Sequence, residues 1–126
     1  MKQTLDQIRA KVALEKKDKI KHSEGGSDKS KSFPTLLRTN GLLSALAFAI
    51  DKNAGSRKED AYYSIAEAIV AHLNEVRKGD PSIVSETIVD PEHLAKYLAE
   101  HASPAQFRRI TAETLAFLNY LRRFAS

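Results

Sequence analysis

The strongest constraint on the fold lies near the carboxy-terminal end, where Phe107, Ile110, Thr114, Phe117, Leu118, Leu121 and Phe124 recur at the spacing of one helix face. Ser103 before Pro104 marks where that helix starts, because a serine oxygen accepts from an unpaired backbone N–H and a proline at the first helical position sacrifices no bond. A stripe of this length has to be covered, so the rest of the chain must supply matching apolar faces. Asp90 before Pro91 repeats the start signal and predicts a helix over 91–101. Residues 57–78 place Tyr62, Ile65, Ala66, Ile69, Leu73 and Val76 on one face, and Gly79, Asp80 and Pro81 end that pattern. Residues 42–51 are apolar around the whole circumference, which predicts a central helix.

The remaining segments are less regular. Residues 3–21 carry Leu5, Ile8 and Val12 at helical spacing, but Lys16 and Lys19 then fall on the same face and Leu14 opposite, which predicts a helix with a poorly buried second half. Residues 23–32, SEGGSDKSKS, read as a mobile loop, since a polar run with a glycine pair buries too little surface to offset its ordering. Phe33 and Pro34 then open a short helical turn, which Asn40 and Gly41 interrupt. Residues 83–89 alone have β-branched character, too short and isolated for a sheet. The predicted fold is all-α, one domain over 1–126 with five or six helices around a single core.

Composition removes several function classes. The chain has no cysteine, so disulfides, thiolate nucleophiles and cysteine metal sites are excluded, in keeping with a cytoplasmic location. The longest apolar stretch, 42–50, is interrupted by Ser44 and too short to span a bilayer, so no membrane is expected among the partners. His22, His72, His93 and His101 are scattered without a metal-binding spacing, and His72, flanking the stripe of its helix, reads as a packing residue. No nucleophile elbow occurs, and Asp51, Glu59 and Asp60 sit where capping explains them. The chain is expected to be no enzyme and to need no cofactor.

Binding is the better supported role. The net charge of +4 arises within residues 1–31, which hold nine Lys or Arg against five Asp or Glu, while the rest is balanced. On the last helix Arg108, Arg109, Arg122 and Arg123 lie opposite the apolar stripe. The pairs are about 21 Å apart along the axis. Ala112, Leu115, Ala116 and Asn119 lie between them, a low ridge that suits a phosphate backbone, because guanidinium forks hold phosphate oxygens without reading bases. The competing reading is a solvated face, or pairs with acids such as Glu92 or Glu100. Lys52, Arg57 and Lys58 form a second candidate patch, and Lys16, Lys17, Lys19, Lys21, Lys29 and Lys31 a third that reads rather as flexible solvation. Arg38 either contacts a phosphate backbone or bonds to carbonyls at the end of its own helix.

Residues 33–48, FPTLLRTNGLLSALAF, form a helical hairpin seed: a proline turn, an Asn-Gly break and an apolar helix. This stretch resembles the signature of the small-subunit family of the Cmr complex, the type III-B CRISPR effector, at Pro34, Leu36, Leu37, Asn40, Gly41, Leu42, Leu46, Ala47 and Phe48. Overall length, an amino-terminal helix and the paired Tyr62 and Tyr63 after a charged linker extend the resemblance. The chain departs from the family at Gly25 and Gly26, where a continuing helix with an aromatic is usual. The resemblance implies a non-catalytic antiviral-defence subunit, present in several copies, lying alongside guide RNA and target RNA with other Cmr subunits. Two other readings stay open. A protein-interaction adaptor without a nucleic-acid role is suggested by Leu43 and Leu115, apolar residues placed outside a single core; a duplex-DNA reader over 103–114 lacks the expected glycine turn.

Overall fold

The structure is a computed structural model and describes residues 3–125. Among them six helices follow in order: α1 (Leu5–His22), α2 (Gly26–Asn40), α3 (Leu42–Ala54), α4 (Ala61–Gly79), α5 (Pro91–Glu100) and α6 (Pro104–Phe124). No strand forms among the described residues; the nearest approach is one isolated bridge between Glu24 and Asp60. The all-α expectation therefore holds.

The local start signals act as expected. Asp90 and Ser103 cap α5 and α6, accepting from the backbone N–H of His93 and Gln106. Thr4 and Gln7 close a reciprocal capping box on α1, with bonds of 3.1 and 2.8 Å. Asp60 accepts from Tyr62 N–H and so starts α4 at Ala61, four residues later than the pattern from Arg57 suggested. Gly41, at φ +87°, makes the Asn-Gly break between α2 and α3.

The centre of the molecule is α4, which packs against all five other helices and buries Ile65, Ile69, Leu73 and Val76. The expectation that 42–51 is central is corrected here. Only Leu42, Ala45, Leu46 and Ala49 of α3 are buried, while Ala47 and Phe48 face outward. Its outer side carries Ser44, Ala47 and the exposed Phe48, and Leu43 and Ile50 are only partly buried, so its all-round apolarity is not a second buried face. On α6 the predicted stripe forms: Ile110, Thr114, Phe117, Leu118 and Leu121 are buried, with Phe107 and Phe124 packed at its edge. Burying one such phenylalanine or leucine contributes about 1.5–3 kcal/mol, so this face outweighs any single polar contact around it.

Residues 23–32, expected as a loop, are mostly helical, since only 23–25 connect α1 to α2. The glycine pair is a tight corner. Gly25 adopts φ +82°, and a Cβ on Gly26 would lie 2.5 Å from the carbonyl oxygens of Ile20 and Lys21. Backbone bonds from Glu24 to Glu59 and from Ala61 to Glu24, each 3.0 Å, tie the corner to the start of α4. Pro34 lies inside α2 and opens nothing, with Phe33 and Leu37 buried around it. The second half of α1 is also better seated than its sequence suggested, because Ile20 is fully buried and Lys19 bridges Glu59 and Glu67. Residues 80–90 are irregular yet fastened: Ile83, Val84 and Ile88 are buried, and the Asn74 amide both donates to and accepts from the Ile88 backbone.

Candidate nucleic-acid interface

The interior stripe of α6 sets the direction of everything else on that helix. With the stripe turned into the core, Arg108, Arg109, Arg122 and Arg123 are all exposed, and Ala112 and Asn119 are the exposed positions between the pairs. Leu115 and Ala116 are half-buried. Arg108 and Arg122 make no hydrogen bond or ion pair within the described residues. Arg109 differs: it donates to the Asp80 carboxylate and, at 2.8 Å, to the Ser82 hydroxyl. Hydrogen bonds from Ser82 and the Arg109 guanidinium hold Asp80 at about 2, below the usual carboxylate range. The acidic partner comes from the end of α4, whereas Glu92 accepts from the Tyr63 hydroxyl, pushing that phenol up together with its burial.

Between the arginine pairs, on the inner flank of α6, lies a carboxylate that the sequence reading passed over. Glu113 is buried; Arg9 of α1 donates to it through Nε and Nη2 at 2.8 and 2.7 Å, and His72 Nε2–H donates at 2.8 Å. His72 is itself fully buried and stacked on Phe117 with ring centroids 4.5 Å apart, so the expected packing role is joined by a polar one. Burial alone would raise the Glu113 carboxyl, but the Arg9 fork and the imidazole hold it at about 2. The same contact drives the Arg9 guanidinium further upward. The signal in the sequence is Glu113 directly beside Thr114 and three residues from Ile110, at the edge of the stripe.

The second patch lies where α3 ends. Lys52 stands over the Phe48 ring at 5.3 Å, and Arg57 and Lys58 are exposed in the following linker, neither bonded within the described residues. Arg38 occupies the last turn of α2, exposed, and does not bond to the helix-end carbonyls, although its charge still complements the dipole there. Half of the third patch is engaged: Lys17 pairs with Asp18, Lys19 with Glu59 and Glu67, and Lys29 with Asp60, while Lys16, Lys21 and Lys31 make no ion pair within the described residues. Patches one and two sit on α6 and α3, helices without extended mutual contact, so the fold keeps them apart.

Leu43 and Leu115, the residues that suggested an adaptor, pack against the core; among the described residues the large apolar side chains that remain exposed are Leu5, Leu14, Phe48 and Val89. Among the described residues no group of three or more His, Asp or Glu is arranged to hold a metal ion, and no helix is long and apolar enough to cross a membrane.

Fold and surface thus define a small helical module with exposed cations, Arg38, Arg57, Lys58, Arg108 and Arg122 among them, that no internal carboxylate engages. The family model of the CRISPR-associated protein Cas_Cmr5 matches residues 5–126. The crystal structure of a CRISPR-associated Cmr5 family protein from Thermus thermophilus is 28% identical, superposes with a TM-score of 0.70, and the match covers 98% of this chain and 96% of that one. No curated protein matches the chain. The chain belongs to the Cmr5 family, the small subunits of the type III-B Cmr complex, and other Cmr subunits are its partners.

Proposed function

We propose that the chain is a non-catalytic subunit that steadies guide RNA and target RNA through sequence-independent backbone contacts while packing against copies of itself and other Cmr subunits. The observation carrying this reading is the state of the α6 ridge: Arg108 and Arg122, about 21 Å apart, are exposed and make no internal bond. Exposed guanidinium groups spaced along a straight helix suit phosphates, which they hold by charge and paired N–H donors. Arg123 extends this ridge, Arg109 adds to it only by sharing its charge with Asp80, and Arg38, Lys52, Arg57 and Lys58 offer phosphates further exposed cations on other elements.

Titration of labelled RNA at several salt concentrations tests this. Binding by the intact protein should weaken steeply with salt and ignore sequence. The Arg108→Ala/Arg122→Ala double variant should lose roughly tenfold in affinity at low salt and flatten the log–log salt slope by about 1.5, with unchanged melting. Equal RNA affinity in that variant removes α6 as the site.

The exposed Leu14 and Val89 favour a second reading, a purely protein-binding adaptor. Partner capture that survives nuclease and high salt, together with absent RNA binding, would select it.

A further inference from the structure

The signature stretch ends on Phe48, whose ring packs edge-on against the fold on one side and meets solvent on the other. Phe48 is 37% exposed on the outer side of α3, with the small Ser44 and Ala47 beside it, so a flat ligand can reach it. Beneath it lies Tyr62, 5.2 Å away at 69°. Tyr62 is itself held in place: Phe33 packs against it at 5.9 Å, Lys29 stands over its ring at 5.0 Å, and its hydroxyl meets Ser32 at 3.0 Å. The result is an outward aromatic ring on a fixed aromatic base.

The charges around it are unequally engaged. Glu59 is bonded to Lys19 and Ser64, and Asp60 to Lys29, so neither carboxylate is available to neutralise a neighbour. That leaves Lys52, Arg57 and Lys58 against Asp51 and Glu24, three cations to two carboxylates. Lys52 is held only by its place over the Phe48 ring, a weak contact at an exposed site, and its ammonium can turn to a phosphate while the ring is taken by a base. An exposed aromatic beside loosely held cations is the arrangement that binds single-stranded nucleic acid: bases stack, phosphates pair.

Resting on the RNA reading above, we infer that Phe48, supported by Tyr62 and flanked by Lys52, is a stacking site for an unpaired nucleotide of bound RNA. This contact differs in kind from the α6 ridge, which holds phosphates whether or not the bases are paired.

Because the chain has no tryptophan, Phe48→Trp places a single reporter on this surface. Oligouridylate, whose bases are largely unstacked, should quench that indole, whereas duplex RNA with the same number of phosphates should not. Phe48→Leu, which keeps an apolar side chain at a part-exposed position, should lose about tenfold in affinity for oligouridylate with an unchanged salt slope and unchanged duplex binding. Undiminished oligouridylate binding by Phe48→Leu overturns the inference, as does binding without quenching in Phe48→Trp. A blue shift of the indole on adding Cmr subunits without RNA also overturns it, by assigning the surface to a protein. Failure of the intact protein to bind either RNA rejects the RNA reading itself.

Discussion

Arg9 and Arg108 are the same residue type on two helices of one small bundle, yet the fold gives them opposite employment. Arg9 is turned inward, where both carboxylate oxygens of Glu113 receive its N–H groups and His72 completes the set. Arg108 is turned outward and bonds to nothing within the described chain. The contrast teaches that the number of cations says little about polyanion binding. What counts is how many have no carboxylate at hand, and Arg109, shared with Asp80, stands between the two cases.

Removing the carboxylate of the inner cluster should have the largest effect. Glu113→Ala leaves Arg9 only the exposed Asp6 and His72 no acceptor, and loss of one partner of a buried pair is expected to cost about 3 kcal/mol, lowering the melting temperature by roughly 10 °C. The same cluster predicts a pH dependence. Glu113 titrates at about 2 in the folded protein against an ordinary value of 4.5, so its contribution is complete above the unfolded value and disappears as pH falls from 4.5 towards 2. Denaturation of Glu113→Gln should show a flatter stability profile across that window. A parallel profile would mean that the carboxylate is not held as described.

Next in size is the direct contrast. Arg9→Ala should destabilise by about 2 kcal/mol, since Glu113 keeps only the imidazole, while Arg108→Ala should remain within about 0.5 kcal/mol of the parent. In RNA titrations the order should reverse, Arg108→Ala weakening binding and Arg9→Ala leaving the salt slope intact. Matching losses in both assays would erase the distinction.

The smallest effect concerns the intermediate case. Asp80→Asn should release Arg109 from its ion pair and steepen the salt slope of RNA binding by up to about one phosphate contact, with little change in melting because the pair is exposed. An unchanged slope would place Arg109 outside the binding surface even when free.

Much of the architecture is legible in the sequence. The cap residues Asp90 and Ser103, the prolines after them and the α6 stripe act within one or two turns, and each appears where the pattern places it. The glycine corner is not legible, because Gly25 and Gly26 look the same in a floppy linker and in a tight backbone approach, and only Ile20 and Lys21 lying against Gly26 separate the two. The centrality of α3 misleads because Leu43, Phe48 and Ile50 look like a second core face in the sequence, and only the packing leaves them partly or wholly outside. The cationic residues are visible as a set, but their assignment to free or engaged states is not: the bond from Arg9 to Glu113 spans 104 positions and that from Arg109 to Asp80 spans 29.

Sequence alone determined the helical class, the starts of α3, α5 and α6 and the family signature from Pro34 to Phe48, since periodicity, capping and turn chemistry are written in neighbouring residues. Tertiary structure alone decided that α4 is the hub, that Glu113 is buried with Arg9 and His72, and which arginines have no carboxylate within reach. The reason is physical: an ion pair depends on distance in space, and helix packing brings together groups whose separation along the chain carries no record of it.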